Sequence, residues 1–214
     1  MSKRLALLLA LALAAASVLA QQQLGREAAL AALNSPDAVE RGRGIVGLAR
    51  EGGMADTPAL VARLRDPNPQ LRELAEQALL LVWSRSGDPA VDQAFEQGLD
   101  EMGSGKVTES IATFSRVIAM KPEFAEGWNK RATLYFLSGD LDKSLQDCDE
   151  VIKRNPAHFG ALSGYAQIYL KTGEYEKARD YFKRALEVNP NLEGVEFNLR
   201  LLEKYLAERS KKGA

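Results

Sequence analysis

The sequence predicts an all-α fold built from stacked helix pairs, and three observations support this prediction. Glycines recur at a fixed interval in the second half of the chain, at Gly105, Gly139 and Gly173. Prolines recur at the same interval, at Pro122, Pro156 and Pro190. Apolar residues between these markers are spaced three to four apart, which is the period of a helix rather than a strand. Because glycine and proline restrict the backbone most, a fixed period in both indicates a repeated supersecondary unit.

Residues 1–20 have the pattern of a secretory signal peptide. Lys3 and Arg4 form a short positive start, and residues 5–16 are an unbroken run of Leu and Ala. This run is shorter than the ~20 residues that a membrane-spanning helix needs. Residues 18–20, which precede Gln21, resemble a cleavage site. We therefore expect an exported protein, most simply periplasmic, with anchoring in the inner membrane by an uncleaved N-terminal segment as the alternative.

The composition argues against nucleic acid as a partner. The chain has 28 basic and 29 acidic residues and a formal net charge of −1, so no basic electrostatic footprint is present. Cys148 is the single cysteine, which excludes an internal disulfide. It falls on the apolar face of a predicted helix, where a free cysteine usually packs as a small hydrophobe.

Residues 21–88 also predict helix pairs, at a shorter period. The stretch Ala31–Pro36 returns further along the chain as Ala62–Pro67. The run 51–54 contains two glycines and marks a loop between the pairs. Three residues suited to N-caps each precede a proline, as at a helix start: Thr57, Asn68 and Asp88. We expect one continuous array whose first half is looser than its second.

The three repeat units of the second half span 91–124, 125–158 and 159–192. The middle unit carries these residues at the marked steps: Trp128, Ala132, Tyr135, Gly139, Asp140, Ser144, Cys148, Val151 and Pro156. This pattern resembles the tetratricopeptide repeat, which has a bulky residue, Gly or Ala, Tyr, Gly, Ala, an aromatic, Ala and Pro at those steps. The third unit matches equally well. The first departs from the pattern, with Ala94 and Glu101 where Trp and Tyr are usual.

The resemblance implies a right-handed α-solenoid of three tetratricopeptide units over residues 89–192, closed by a capping helix over 193–210 and a tail over 211–214. One side of the capping helix is apolar, with Val195, Leu199, Leu202, Tyr205 and Leu206. Its other side is charged, so we expect a polar outer face at the end of the array.

Part of the first half resembles a HEAT-type helical repeat. In residues 57–86, Asp66-Pro67 is followed by Leu71-Arg72. The resemblance implies that the Asp and the Arg six positions later tie neighbouring turns together. The preceding copy departs from the pattern, with Ser35 at the Asp position.

Sites of chemistry are weakly indicated. Residues 42–47 fit the letters of a dinucleotide-binding loop, but that loop follows a strand and this segment follows a helix start. His158 is the only histidine and has no second ligand type clustered near it in sequence. The acidic residues between Asp140 and Glu150 lack the spacing of a calcium loop. We therefore expect no enzyme activity, no cofactor and no metal.

The resemblance also implies a binding groove, because the first helix of each tetratricopeptide unit lines a concave surface. The groove residues it implies are Phe95, Leu99, Asn129, Thr133, Phe136, Ser163, Gln167, Leu170 and Lys171, with Met102 also in the first unit. Leu99 and Met102 are equally compatible with the core. Phe95 and Leu99 stand where family members that clamp a terminal carboxylate have Lys and Asn, which argues against such a clamp.

The leading functional hypothesis is a non-enzymatic scaffold of the bacterial cell envelope that binds a protein or peptide in this groove. Asn129, Thr133, Ser163 and Gln167 would supply hydrogen bonds, and the apolar groove residues would anchor side chains. The alternative is an accessory subunit that holds an envelope complex together through its convex face or its first-half helices. An enzyme is a remote third possibility, because no recognisable set of titratable residues is present.

Overall fold

The computed structural model describes residues 24–212, which form eleven α-helices and one 3₁₀ turn and contain no β-strand. The predicted all-α fold is confirmed. The predicted signal peptide over residues 1–20 lies outside the described residues, as do the last two residues of the predicted tail. The described residues divide into two compact units, 24–82 and 83–212. No helix in the described part is both long enough and apolar enough to cross a membrane.

The first unit contains two helix pairs, each a short helix followed by a longer one. The helices are α1 (Arg26–Ala32), α2 (Ala38–Glu51), α3 (Thr57–Arg63) and α4 (Pro69–Trp83), with a 3₁₀ turn at Met54–Asp56. Their buried faces meet in a core that includes Ile45, Leu48 and Leu60, which are fully shielded from solvent. Helix pairing in this part of the chain therefore agrees with the sequence prediction.

Close packing of α2 on α1 explains the glycines of residues 42–47. A Cβ built on Gly44 would lie 2.7 Å from the carbonyl oxygen of Ala29, and one on Gly47 would lie 2.7 Å from the Ala29 Cβ. Both glycines lie in the interior of α2 and not in a loop after a strand. The glycines thus serve helix contact, as the sequence context suggested.

Two helices begin at the predicted Asn-Pro and Asp-Pro pairs, one at Pro69 and one at Pro89. The Asn68 side chain accepts the Gln70 N–H at 2.9 Å, and the Asp88 side chain accepts the Ala90 N–H at 2.9 Å. Thr57 differs from its prediction, because α3 begins at Thr57 itself and the N-cap is Asp56.

An ion pair joins the two helix pairs, but its partners differ from those that the HEAT resemblance implied. Arg72 donates to the backbone oxygen of Asp66 at 3.0 Å. The Asp66 carboxylate instead receives Arg41, from Nε at 2.7 Å and from Nη2 at 2.9 Å. Both partners are buried, and this paired geometry lowers the pKa of Asp66. Arg41 and Arg72 hold equivalent positions in successive helix pairs. Because the Asp66 carboxylate binds Arg41 and not Arg72, the ion pair links two neighbouring helix pairs rather than two residues of the same pair.

The second unit contains the three tetratricopeptide-like repeats and a final helix. Its helices are α5 (Pro89–Gly103), α6 (Val107–Met120), α7 (Ala125–Ser138), α8 (Leu141–Arg154), α9 (Phe159–Thr172), α10 (Tyr175–Val188) and α11 (Glu193–Lys212). Trp83, the last residue of α4, also belongs to this unit. Successive helices pack against each other as the repeat pattern predicts.

Each repeat turns after its first helix through the same left-handed glycine. Gly105, Gly139 and Gly173 have φ values of 71°, 84° and 78°. In each turn the residue after the glycine donates its N–H to the carbonyl five positions earlier, at 2.9 Å. This is the Schellman arrangement, which satisfies carbonyls that the helix end would otherwise leave open. The predicted role of the periodic glycines is confirmed.

Small residues bring the two helices of a repeat together. A Cβ on Gly98 would lie 2.8 Å from ring carbons of Phe114, which is completely buried. The Ser110 hydroxyl donates to the Gly98 carbonyl at 2.8 Å, and one repeat further on the Ser144 hydroxyl donates to the Ala132 carbonyl at 2.8 Å. The third repeat has Ala178 at this position and makes no such bond.

The final helix α11 covers the third repeat with only one of its two apolar faces. Leu199 and Leu202 are buried, and Val195 and Leu206 pack beside them. Tyr205, which the sequence suggested would face inward, is 47% exposed. Phe197 and Leu201 are also more than half exposed, so the outer surface of α11 is not wholly polar. Tyr205 faces outward because Phe197, Leu201 and Tyr205 are four apart and therefore form a second apolar row on the helix.

Candidate functional site

A pocket opens between the second and third repeats, with a volume of about 150 Å³. We call it the inter-repeat pocket. Helices α7, α8 and α9 supply its lining, which includes Asn129, Ala132, Thr133, Phe136, Ser144, Cys148, Gly160, Ala161, Gly164, Gln167 and Ile168. Small residues on α9 leave the space open, because Gly160, Ala161 and Gly164 have little or no side chain.

Four of the predicted groove residues meet at this pocket: Asn129, Thr133, Phe136 and Gln167. Asn129 donates through Nδ2 to Glu126 at 3.0 Å, and the Thr133 hydroxyl donates to the Asn129 carbonyl at 3.0 Å. The side-chain amide of Gln167 is exposed and has no hydrogen-bond partner among the described residues. Gln167 is therefore the polar group at the pocket that a ligand can engage without displacing an internal bond.

Lys171 and Phe136 pair at one side of the pocket. The Lys171 ammonium lies 4.4 Å from the centre of the Phe136 ring, a cation–π distance. Leu170 lies apart, in a shallow apolar groove of about 280 Å³ that it shares with Tyr175 and with residues of α11. Ser163 is buried and does not line the inter-repeat pocket.

The first repeat contributes core rather than groove. Phe95 is 1% exposed and meets the rings of Phe114 and Phe124 edge-on, at centroid distances of 5.6 Å and 5.1 Å. Leu99 and Met102 pack against the same cluster. The groove position predicted for Phe95 is corrected accordingly, because the small Gly98 lets α6 approach and draws the neighbouring large side chains inward.

A buried polar cluster beside the pocket was not identified from the sequence. His158 is 2% exposed and Glu126 is 4% exposed, and His158 Nε2 lies 2.6 Å from Glu126 Oε1. His158 Nδ1 accepts the Ala161 N–H at 3.0 Å, so Nε2 is the nitrogen that donates to the carboxylate. Trp83 stacks on the imidazole at a centroid distance of 4.8 Å. His158 was interpreted as a surface turn residue, and it is instead a buried helix cap.

Glu126 is held as a carboxylate inside the protein. Burial alone would raise its pKa, but His158, Lys130 and Asn129 together lower the pKa from 4.5 to about 2. Lys130 Nζ lies 3.4 Å from the carboxylate. The cluster therefore fixes the start of α7 and, through Asn129, one wall of the inter-repeat pocket.

An apolar row on α11 was also not predicted from the sequence. Adding one repeat period to Ser163, Gln167 and Lys171 gives Phe197, Leu201 and Tyr205. These are the exposed apolar residues of α11 described above. The period itself could have found them, had the groove positions been extended beyond the third repeat.

The described residues show no arrangement for catalysis at the pocket. Cys148 lines it, but burial and the neighbouring Asp147 and Asp149 raise the pKa of its thiol to about 12. No group of three or more His, Cys, Asp or Glu side chains within residues 24–212 is arranged to hold a metal ion. The pocket can therefore supply shape, apolar contact and hydrogen bonds.

The repeats match two family models, both described as tetratricopeptide repeat, over residues 95–157 and 135–194. Together with the helix pairs and the glycine turns, these matches show tetratricopeptide repeats over residues 95–194. Neither family model describes an enzyme.

Similar proteins include repeat proteins of several kinds. The chain is 29% identical over 143 residues to a TPR repeat-containing protein of Rhizobium etli, covering 67% of this chain and 70% of that one. It is 23% identical over 135 residues to Hsp70-Hsp90 organizing protein 1 of Glycine max, covering 63% of this chain but only 22% of that longer protein.

Solved structures share the fold. The first TPR of Spaghetti (RPAP3), bound to an HSP90 peptide SRMEEVD, has a TM-score of 0.53 at 23% identity and covers 55% of this chain and 93% of that one. The Sgt2 TPR domain from Aspergillus fumigatus has a TM-score of 0.54 at 17% identity, covering 58% and 83% respectively. At these identities the likeness extends to the architecture.

Proposed function

We propose that this protein is a non-enzymatic scaffold that binds a peptide segment of a partner protein at the inter-repeat pocket. The observation that carries the proposal is the convergence of Asn129, Thr133, Phe136 and Gln167 from two repeats on one opening. Drug-sized ligands occupy sites of roughly 300–1,000 Å³. A pocket of about 150 Å³ suits a single side chain of a longer ligand that continues along the groove.

The chemistry of the pocket defines the kind of peptide. Its wall of Ala132, Ile168 and Phe136 favours a compact aliphatic side chain. The free amide of Gln167 can donate to and accept from a peptide bond, which anchors an extended backbone beside the pocket. Lys171 adds a positive charge at the edge, so an acidic residue next to the aliphatic anchor improves the fit.

The pocket can be closed with one substitution. Gly164 lines it, and a Cβ at this position would meet only Cys148 Sγ at an ordinary 3.7 Å. Gly164→Leu is therefore expected to fill the pocket while α9 remains folded. Gly164→Ala is the matched control, because it changes the same backbone position and leaves most of the volume open.

The test uses a phage-displayed library of random peptides selected on the purified chain. We expect selected peptides to bind the wild type and Gly164→Ala alike and to lose at least about tenfold in affinity with Gly164→Leu, since one well-buried side chain contributes ≈ 1.5–3 kcal/mol. Equal binding to all three proteins would place the peptides elsewhere and overturn the assignment.

We further propose that the protein works in the bacterial cell envelope. Support comes from the N-terminal charge and Leu/Ala pattern. A fusion of the whole chain to β-lactamase, which protects bacteria from ampicillin only after export, is expected to confer resistance. A mature N-terminus at Gln21 would indicate cleavage, whereas a retained Met1 would indicate the anchored alternative. Failure to confer resistance would contradict the envelope role.

The first unit is proposed to be a pair of HEAT-like repeats that offers a second surface. The buried Arg41–Asp66 pair supports the repeat assignment, since it links equivalent positions of neighbouring pairs. Val39 and Val46, which are 69% and 50% exposed on α2, support a contact role. If the accessory-subunit alternative holds, Val39→Glu with Val46→Glu will abolish co-purification of envelope partners and Gly164→Leu will not. Unchanged co-purification would remove this alternative.

A further inference from the structure

The last helix of the array presents an exposed apolar row, of which Tyr205 meets the Tyr175 ring edge-on at a centroid distance of 5.0 Å. Phe197, Leu201 and Tyr205 are 54%, 53% and 47% exposed, whereas Leu199 and Leu202 of the same helix are buried against the third repeat. Single exposed apolar residues are common on protein surfaces, but a contiguous row marks an interaction site. The row extends over two turns of α11.

Charged residues continue this row at both ends with the same spacing. The sequence places Glu193 four positions before Phe197 and Arg209 four positions after Tyr205. Both charged residues are exposed. The row therefore runs acidic, aromatic, aliphatic, aromatic, basic. When a second copy of the row lies antiparallel to it, each acidic end faces a basic end and each aromatic residue faces an aromatic residue.

We propose that this row is the interface for a second copy of the same chain. Two α11 helices that pack antiparallel, with a two-fold axis at Leu201, bring Phe197 of each copy against Tyr205 of the other. The same operation brings Glu193 of each copy toward Arg209 of the other. A two-fold interface requires such a self-complementary patch, because each residue pair occurs twice.

The spacing also fits a known mode of helix packing. Residues four apart form a ridge inclined to the helix axis, and two such ridges interdigitate when the helices cross at ≈ −50°. At this angle the ridges of the two helices run parallel, so each row lies beside the row of the second copy, with the two Leu201 side chains next to each other and the opposite charges at the two ends close together. This interface does not involve the inter-repeat pocket and goes beyond the proposed peptide binding.

A membrane surface is a poorer occupant of the row. Residues 193–212 contain four acidic and five basic side chains, so α11 lacks the strongly basic polar face of helices that lie on anionic lipid. The acidic Glu193 at one end of the row would face the lipid headgroups unfavourably. In a dimer the same residue lies opposite a basic one.

Sedimentation velocity of the purified full chain tests the proposal. We expect a concentration-dependent dimer for the wild type and a monomer for Leu201→Glu, because the two introduced carboxylates would face each other at the axis. At a concentration low enough for the wild type to be monomeric, circular dichroism melting of Leu201→Glu should match the wild type, since this side chain lies outside the core. A wild type that stays monomeric, or a Leu201→Glu variant that still dimerises, would overturn the proposal.

Charge reversal tests the antiparallel register separately. Glu193→Arg and Arg209→Glu should each raise the dimer dissociation constant by roughly tenfold, because each breaks two rim pairs and creates two repulsions. The double variant should restore dimerisation. No recovery in the double variant would exclude this register. Binding of monomeric wild type to phosphatidylglycerol vesicles, with loss in Leu201→Glu, would assign the row to a lipid surface and overturn the dimer.

Discussion

The Nε2–H of His158 donates to Oε1 of Glu126 at 2.6 Å, and the two residues lie 32 positions apart in the chain. Both side chains are buried, and one ring of Trp83 covers the imidazole. The hydrogen bond therefore links the start of α7, the first helix of the second repeat, to the start of α9, the first helix of the third repeat. A buried carboxylate of this kind makes stability depend on pH in a defined direction.

Stability should fall in acid because of Glu126. Its pKa is lowered on folding, so its contribution is full above its ordinary pKa of 4.5 and is lost as the pH falls to about 2. Glu126→Gln removes this contribution, and the free energy of unfolding then declines less between about pH 5 and pH 3. Urea unfolding across this range measures the difference. Parallel pH profiles for the two proteins would contradict the assignment.

Gly98→Ala should destabilise the first repeat. The new Cβ would lie 2.8 Å from the buried Phe114 ring, so the ring or the helices must shift, at a cost of roughly 1–3 kcal/mol. Gly103→Ala in the same helix is the control, because no atom lies within 4 Å of its Cβ position. The control is expected to be neutral or stabilising. Thermal melts of both variants decide the point, and equal melting temperatures would show that the contact relaxes freely.

Ser144→Ala should cost about 1 kcal/mol through loss of one buried hydrogen bond. Packing should be unaffected, because the third repeat accommodates Ala178 at the equivalent position, where it is fully buried. Ser138→Ala is the matched control, since the Ser138 hydroxyl also bonds a helix carbonyl but is exposed. Urea unfolding should separate the two variants. A Ser144→Ala protein as stable as the control would indicate that the buried hydroxyl contributes nothing.

The Cys148 thiol should resist modification while the protein is folded. Burial raises its pKa to about 12, with Asp147 and Asp149 adding to the effect, so little thiolate forms near pH 8. Reaction with Ellman's reagent should be slow in buffer and fast in denaturing urea. The single cysteine makes the readout unambiguous. A fast reaction of the folded protein would mean that the pocket wall at Cys148 opens readily.

The sequence was informative where a position is governed by backbone geometry. Gly139 had to turn left-handed and Asp88 had to cap a helix, and both follow from local chemistry alone. Phe95 and His158 could not be placed in this way. Phe95 turns inward because Gly98 brings α6 close, and His158 is buried under Trp83, which lies 75 positions earlier in the chain. Contacts at such separation leave no periodic signal in one sequence.

The candidate site was predictable in part for the same reason. Asn129, Thr133 and Gln167 were found through the repeat period, and they do meet at one pocket. The apolar row on α11 obeys that period as well, although the end of such an array is expected to be polar. The pocket volume depends on Gly160 and Gly164, whose missing side chains become meaningful only when the neighbouring helices are in place.

The hydroxyl bonds of Ser110 and Ser144 have no counterpart at Ala178. In a linear array, each repeat opens according to its own internal links and those to its neighbours. The third repeat thus lacks an internal hydrogen bond that the first two have, and local unfolding is expected to begin there. Amide protons of α9 and α10 are expected to exchange with deuterium sooner than those of α7 and α8. Since α9 forms one wall of the inter-repeat pocket, local unfolding of α9 would release a bound peptide while the rest of the array stays folded.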